Sequence, residues 1–212
     1  MGKPLLYGMD YSVYVRIAQL ALAEKGVEYE VVPVSVFAAG GPPDWYLDHH
    51  PFRRMPAFEH DGFRLYETAA ITRYVDEAFA GPALQPADAR GRARMTQIVG
   101  LLDAYGYRPM VWDVYVERVD RPNEGKPGDE ALIASGLDKA RTCLGALMTL
   151  KAPGDWLLGG QLTLADLHAA PMFAYFAKAP EGAAMIGEHP GIESWWRGVL
   201  ALPSFKAVCD TA

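Results

Sequence analysis

The sequence has few cysteines and no long apolar run. Its 212 residues include only two cysteines, which excludes a disulfide-rich scaffold and a four-cysteine metal site. Neither cysteine belongs to a Cys-x-x-Cys pair, so a dithiol redox motif is absent. No run of about 18 apolar residues occurs, and the apolar stretch near the N-terminus is too short for a signal peptide. The sequence therefore predicts a soluble, cytoplasmic globular protein that does not associate with a membrane.

An excess of positive charge is also absent. The chain has 20 lysines and arginines against 26 aspartates and glutamates, which gives a net charge of −6 at pH 7. A nucleic-acid-binding protein needs a basic face for the phosphates, so nucleic acid is not expected as a partner. Half of the residues are hydrophobic, and this apolar share is large enough to bury a substantial core.

Several catalytic motifs are missing as well. The sequence has no phosphate-binding loop, no dinucleotide-binding glycine pattern and no Gly-x-Ser-x-Gly elbow. His49-His50 lacks a second ligand pair at metal spacing, so we expect a surface loop there and no bound metal. Cys143 and Cys209 fall in predicted helices, and we expect both to be buried.

The first 80 residues alternate strand and helix patterns. Pro33 is typical of a strand at a sheet edge, and Asp61-Gly62 between two short alternating runs is typical of a hairpin. The first helix is long enough to cross over the sheet, so the strands on either side of it are expected to be parallel. The pattern predicts strands over residues 5–7 and 29–34, a hairpin over 57–66, and helices over 13–25 and 68–79.

A segment rich in proline, glycine and alanine separates this part from the rest of the chain. We divide the sequence into a domain over residues 1–80, a linker over 81–89 and a domain over 90–212, in which we find no convincing strand. Gly106 and Pro109 predict a kink or break in its first long helix. The predicted helices cover residues 93–119, 131–150, 164–176 and 192–202, with a short last helix that begins at Pro203. The fold class is therefore an α/β domain followed by an all-α domain.

Three places with useful chemistry lie at junctions of the first domain. Ser12 begins the first helix, where its hydroxyl either holds an anion together with the helix N–H groups or acts as an ordinary N-cap. A cis Met55-Pro56 bond would turn the Met55 backbone outward to pair with a peptide, although trans bonds are far commoner. Glu67 and Thr68 offer a carboxylate for an ammonium group and helix amides for a carboxylate. The structural alternative is that Thr68 caps the helix and Glu67 is a solvated acid.

Five short segments, in their order and spacing, resemble the soluble glutathione transferase family. The resemblance covers essentially the whole chain and implies a thioredoxin-like N-terminal domain followed by an all-helical domain. The segments are SVYVR at 12–16, ALAEKG at 21–26, HPFRRMPA at 50–57, YETAAI at 66–71 and LTLADL at 162–167.

The resemblance implies that Ser12 stabilises the thiolate of glutathione, as in a serine-type member. Position 13 departs from the family pattern, because it is Val where many serine-type members have Pro. Other branches of the family use a tyrosine on the thiol, so Tyr7 and Tyr11 remain alternatives. Ser12 is ranked first because it occupies the start of the helix.

The resemblance also implies a set of residues that bind glutathione as co-substrate. Met55 is expected to pair its backbone with the cysteinyl part of glutathione, next to a cis Pro56. Glu67 and Thr68 are expected to hold the γ-glutamyl end. Arg54 matches a basic position close to the glycyl carboxylate, where a lysine is usual.

Two sets of residues in the second domain predict a structural or a functional role. Thr163 and Asp166 have the spacing of a capping box, a structural motif whose loss is expected to cost about 1 kcal/mol or more. The long helix carries an aromatic set that either forms a wall for a hydrophobic second substrate or packs in the core and against another subunit. This set is Tyr105, Tyr107, Trp112 and Tyr115, with Arg108 beside them. By resemblance, Asp103 reaches the glutathione of a neighbouring subunit.

The implied activity is conjugation of glutathione to a hydrophobic electrophile, in a homodimer. Two alternatives stay open. One is a glutathione-dependent isomerase, dehalogenase or ether-cleaving lyase on the same scaffold, and the other is a non-catalytic member that binds an apolar ligand or another protein.

Overall fold

The computed structural model describes residues 2–209 in two compact units. The first unit comprises the chain up to Ala83 together with the segment from Lys206, and the second is Leu84–Phe205. No helix or strand occurs between Ala78 and Ala89, where the linker was expected. The division differs from the expected one in assigning the segment from Lys206 to the first unit.

A four-stranded sheet forms the centre of the first unit. β1 pairs in parallel with β2 and antiparallel with β3, which pairs antiparallel with β4. The order across the sheet is β2-β1-β3-β4, so β2 lies at an edge, where Pro33 breaks no central ladder. The predicted parallel pair and the predicted hairpin are both confirmed. The strands are β1 (Leu5–Gly8), β2 (Glu30–Pro33), β3 (Ala57–His60) and β4 (Phe63–Tyr66).

The turn between β3 and β4 explains why the hairpin was predictable. His60 pairs with Phe63, which leaves Asp61 and Gly62 as a two-residue loop. Their φ angles are 49° and 81°, and positive φ at both central positions is what a type I′ turn requires. Asp-Gly adopts this conformation at little cost, so the local sequence is sufficient to define the turn.

Two helices cover this sheet, α1 (Val13–Glu24) and α2 (Thr68–Ala78), and they pack against each other. Lys25 follows α1, and its buried ammonium lies 3.0 Å from Asp76 Oδ1 of α2 and 2.9 Å from the Pro82 carbonyl oxygen. Gly26 comes next with φ 65°, the left-handed conformation that ends many helices. The ion pair and the helix stop therefore fix the end of α1 against α2.

A short 3₁₀ helix, Asp44–Asp48, precedes β3 and was not predicted. It places Tyr46 in a buried cluster with Tyr7, Val34 and Ala57. The Tyr46 hydroxyl donates a hydrogen bond of 2.8 Å to the carbonyl oxygen of Arg54. The segment that leads into β3 is thereby attached to the core of the unit.

The second unit is helical, apart from an isolated bridge between Trp156 and Gly159. The predicted helices over 131–150, 164–176 and 192–202 are confirmed to within two residues at each end. α7 was missed, because two glycines and a proline within and around it obscure its helical pattern. The helices are α3 (Ala89–Leu101), α4 (Arg121–Asn123), α5 (Glu130–Leu150), α6 (Leu164–Phe176), α7 (Pro180–Gly187) and α8 (Pro190–Ala201). The last helix, α9 (Pro203–Cys209), begins in the second unit and ends in the segment assigned to the first.

The chain between α3 and α4 is helical but irregular. It contains two π-helical segments, Leu102–Gly106 and Arg108–Asp120, whose hydrogen bonds span one residue more than in an α-helix. Pro109 lies inside the second segment and has no N–H to donate to the preceding turn. The helix does not break at Gly106 or Pro109, so that part of the prediction is wrong; both residues lie instead in segments whose hydrogen bonding departs from that of an α-helix.

α6 begins with the predicted capping box, which is confirmed. The backbone N–H and the hydroxyl of Thr163 both donate to Asp166 Oδ2, each at 2.8 Å. The fully buried carboxylate also accepts from the backbone N–H of Leu157 and from the indole N–H of Trp195, at 2.7 and 2.9 Å. Asp166 therefore joins three separate segments of the second unit.

The order of an α/β unit followed by a helical unit is confirmed. Across residues 2–209, no helix combines the length and the apolar character needed to cross a membrane.

Candidate functional site

Ser12 lies between β1 and α1 and caps the helix. Its backbone is extended, and its Oγ accepts a hydrogen bond of 3.4 Å from the Val15 N–H. A hydroxyl that accepts a hydrogen bond still has its own proton to donate, and the first turn of α1 carries no acidic residue that would repel an anion. The N-cap interpretation is confirmed, and its contact with a thiolate stays a prediction.

The two tyrosines that were alternatives to Ser12 have other surroundings. Tyr7 is 6% exposed, and its ring centroid lies 4.4 Å from that of His49. Burial, together with the Glu59 carboxylate, raises the pKa of the Tyr7 phenol, which makes its anion harder to form. Tyr11 is exposed, and its hydroxyl lies 3.0 Å from Ser35 Oγ. These contacts favour Ser12 as the hydroxyl that faces an anion.

The Met55-Pro56 bond is cis, as the resemblance implies and against the preference of X-Pro bonds for trans. Gly8 at the end of β1 allows the neighbouring segments to approach closely. A Cβ on Gly8 would overlap Val15 Cγ2 and lie 3.4 Å from Met55 Cβ. The absence of a side chain at Gly8 therefore brings Met55 close to the first turn of α1.

Glu67 and Thr68 form the start of α2, but Thr68 is not the N-cap that the structural alternative required. Thr68 is the first helical residue and is 7% exposed, so the expectation that it caps the helix is wrong. Glu67 occupies the N-cap position with φ 70° and ψ 112°, and its side chain makes no capping hydrogen bond. The Glu67 side chain therefore leaves the N–H groups of Thr68 and Ala69 uncapped, whereas the Ala70 N–H donates to the Glu67 carbonyl oxygen at 3.0 Å. The strained backbone at Glu67 is a feature found frequently at functional sites.

An open cleft of about 360 Å³ is lined by Phe52, Arg54 and Glu67. Two of the predicted binding residues therefore lie on one surface, with opposite charges. A zwitterionic ligand with separated ammonium and carboxylate groups matches such a surface. Ser12 and Thr68 do not line this cleft in the described part of the chain.

His49 and His50 are not in a surface loop, and that expectation is wrong. The His49 side chain is 11% exposed, stacks on Tyr46 at an interplanar angle of 6°, and has Nε2 3.4 Å from Glu59 Oε2. His50 is 3% exposed, and its ring centroid lies 5.0 Å from that of Tyr66. The aromatic residues Trp45 and Tyr46, which precede them in the sequence and contact the His49 ring, were the available signal for burial.

The aromatic residues of the π-helical segments do not form a buried core. Tyr105 is 67% exposed. The Trp112 indole N–H donates to the Tyr107 hydroxyl at 2.9 Å, and the Tyr115 ring lies 4.6 Å from that of Tyr175. Core packing alone therefore does not account for the set.

Asp103, Cys143 and Cys209 are the remaining residues for which the sequence made a prediction. His168 Nε2 lies 2.8 Å from Asp103 Oδ1. Both cysteines are buried, as expected, and burial raises the pKa of the Cys143 thiol to about 12. Within residues 2–209, histidine, cysteine, aspartate and glutamate form no group of three that would hold a metal ion.

The fold and this site define a class of protein. A β2-β1-β3-β4 sheet with a cis proline before β3 and two polar helix starts, followed by a helical unit, is the architecture of a glutathione-binding protein with a thioredoxin-like domain. Residues 6–83 match the model of the glutathione S-transferase N-terminal domain, and residues 105–203 match that of the C-terminal domain.

The chain belongs to the glutathione S-transferase family. It is 30% identical to glutathione S-transferase 4 of Zea mays, over 97% of this chain and 91% of the relative. It is 28% identical to maleylacetoacetate isomerase of Rattus norvegicus, over 97% and 91% of the two chains. Among solved structures, glutathione transferase F7 from Populus trichocarpa is similar at 28% identity and a TM-score of 0.83, over 98% of each chain.

Proposed function

We propose that the protein conjugates the thiolate of glutathione to an electrophilic carbon of an apolar substrate, with Ser12 as the catalytic hydroxyl. The observation that carries this proposal is the position of Ser12 in a chain of the glutathione S-transferase family. Its Oγ caps α1 while its proton stays available to a sulfur anion. The Ser12 hydroxyl acts as a donor and is not itself a nucleophile.

The energetics are sufficient for this role. A free thiol has a pKa near 8.5, so about 3% of it is thiolate at pH 7. A hydrogen bond to a charged group contributes about 1.5–3 kcal/mol, and the helix dipole adds roughly 0.3–1 kcal/mol. At about 1.36 kcal/mol per unit, these contributions lower the thiol pKa by about 1.3–3 units. Thiolate then becomes a major or dominant form at neutral pH.

The other residues bind the ends of the tripeptide. Glu67 supplies a carboxylate for the γ-glutamyl ammonium, and the N–H groups of the first turn of α2 at Thr68 face its carboxylate. Arg54, which lines the same cleft as Glu67, pairs with the glycyl carboxylate. Met55 pairs its backbone with the cysteinyl residue beside Pro56. The net charge of −6 does not attract an anionic ligand, so binding depends on these local groups.

Calorimetric titration with glutathione tests the proposal. We expect saturable binding with a dissociation constant below about 1 mM, which is at least about 4 kcal/mol of binding free energy. The Glu67→Ala and Arg54→Ala variants should each bind more weakly, whereas Leu200→Ala, an exposed change in the other unit, should leave glutathione binding unchanged. Absence of binding at millimolar glutathione would exclude a glutathione-dependent enzymatic function and favour a non-catalytic, ligand-binding member of the family.

A glutathione-dependent isomerase is the second candidate, because one similar protein is named maleylacetoacetate isomerase. An isomerase uses the same thiolate but releases glutathione after the double bond rotates. A transferase and an isomerase are distinguished by measuring turnover of aryl halides and epoxides and, separately, of cis-diacids. Consumption of glutathione indicates a transferase, and product formation without its consumption indicates an isomerase.

We further propose that the protein is a cytoplasmic homodimer, with no membrane or nucleic acid as partner. The exposed side chains of Phe52, Phe63 and Tyr105 are compatible with an interface between copies. Sedimentation at micromolar concentration tests this assembly, since a mass near that of one chain would exclude it.

A further inference from the structure

His50 is a buried histidine next to the cleft that is lined by Phe52, Arg54 and Glu67. Its ring centroid lies 6.3 Å from that of Phe52 and 5.0 Å from that of Tyr66, the residue before Glu67. Its backbone is held on both sides, because its N–H donates to Tyr46 and its carbonyl accepts from Arg53. The imidazole therefore packs against Phe52, which lines the cleft, and against the residue that precedes Glu67.

Two charged residues that line the cleft act on this imidazole. Burial is the largest cause and lowers the pKa of His50, the Glu67 carboxylate raises it, the Arg54 guanidinium lowers it, and the backbone of His50 itself, the smallest cause, raises it. The other ring neighbours of the imidazole are Phe52 and the phenol rings of Tyr46 and Tyr66. Nδ1 of His50 has no hydrogen-bond partner within the described residues, and an imidazolium needs an acceptor at each nitrogen. His50 is accordingly neutral at pH 7.

We propose that His50 is a positioning residue that makes glutathione binding sensitive to acid by acting through Glu67. While the imidazole is neutral, the Glu67 carboxylate pairs with the ammonium group of the ligand. Protonation places a cation beside Glu67, which competes for the carboxylate and repels the ammonium group. The inference rests on the proposed role of Glu67 in holding the γ-glutamyl end.

Proton binding to His50 and ligand binding are thermodynamically linked, so each must weaken the affinity for the other by the same factor. The coupling can therefore be measured as a change in ligand affinity with pH. S-methylglutathione is the probe, since its blocked sulfur removes the thiol from the titration. We expect its dissociation constant to rise by about fivefold or more between about pH 7.5 and pH 5. The analogue with glutaryl in place of γ-glutamyl has no ammonium group, and its affinity should not fall over the same range.

The His50→Asn variant removes the titration and keeps a short polar side chain. We expect it to bind S-methylglutathione at about pH 7.5 and to lose the weakening at about pH 5. His189→Asn is the matched control, because His189 lies in the other unit and also has a buried ring nitrogen without a partner. It should retain the pH profile of the parent protein. Circular dichroism at each pH establishes that every sample is folded.

The outcomes separate this inference from the proposed function. A flat pH profile in the parent protein, an unchanged profile in His50→Asn, or an equal loss of affinity for the glutaryl analogue would each overturn it. If His50→Asn does not fold, His50→Gln takes its place, because it also removes the titrating imidazole and keeps a polar side chain. Failure of S-methylglutathione to bind at any pH would instead contradict the proposed function itself.

Discussion

The Asp166→Ala substitution removes the acceptor of four hydrogen bonds from the interior of the helical unit. The donors are the Leu157 N–H, the N–H and hydroxyl of Thr163, and the Trp195 indole N–H. A buried donor that loses its acceptor costs about 1–3 kcal/mol. The Thr163 hydroxyl can rotate to another acceptor, so three donors remain without one.

Removal of the buried carboxylate itself offsets part of this cost. Burial raises the pKa of Asp166 against the effect of its hydrogen bonds, so its removal relieves a desolvation penalty. We therefore expect a net loss of about 3–5 kcal/mol in the free energy of unfolding. An ordinary N-cap is worth only about 1 kcal/mol, and the difference measures the contacts that Asp166 makes outside α6.

Urea unfolding followed by circular dichroism and tryptophan fluorescence provides the measurement. For a chain of this length the expected loss corresponds to a decrease of roughly 6–20 °C in melting temperature. Asp166→Asn keeps one acceptor oxygen and should lie between Asp166→Ala and the parent. Thr163→Ser keeps the hydroxyl and should cost less than about 1 kcal/mol. A loss of about 1 kcal/mol or less in Asp166→Ala would show that the carboxylate acts only as a cap.

Three further predictions concern other sites. Lys25→Met removes the cation that pairs with the buried Asp76 carboxylate and should lower the free energy of unfolding in urea by about 3–5 kcal/mol. Adding Asp76→Leu should recover part of this loss. A Lys25→Met variant as stable as the parent protein would refute this prediction. Glu67→Gln should weaken glutathione binding by about tenfold or more in calorimetry without lowering the melting temperature, whereas unchanged affinity would mean that Glu67 does not hold the ammonium group. Cys143, whose pKa burial raises to about 12, should resist iodoacetamide at pH 8 in the folded protein because its thiol stays protonated and inaccessible. Mass spectrometry should find it labelled only in urea, and rapid labelling of the native protein would contradict its burial.

Local patterns were sufficient to predict much of the fold. The bounds of α1, α2 and α6 followed from helical spacing, and the Asp61-Gly62 pair was sufficient for the hairpin, because each depends on residues that are neighbours in sequence. The Thr163–Asp166 box was predictable for the same reason, since its partners are three residues apart. The candidate site was identified by the order and spacing of motifs, which place Ser12 and Glu67 at helix starts.

Interactions between distant residues were not predictable. The hydrogen bond from Trp195 to Asp166 joins positions 29 residues apart, and no local pattern indicates it. The burial of His50 depends on Tyr66, which reaches it through the β3–β4 hairpin. The left-handed φ of Glu67 is likewise imposed by the junction of β4 with α2, and an isolated Glu-Thr pair does not indicate it.

The titration of the thiol of bound glutathione tests the central claim most directly. In the parent protein we expect an apparent thiol pKa below about 7.2, followed by the ultraviolet absorbance of the thiolate. The Ser12→Ala variant should raise that pKa by at least about one unit, because it removes the donor to the sulfur anion. Tyr11→Phe is the control and should leave the pKa unchanged. An unchanged thiol pKa in Ser12→Ala would contradict the account and transfer the role to Tyr7 or Tyr11.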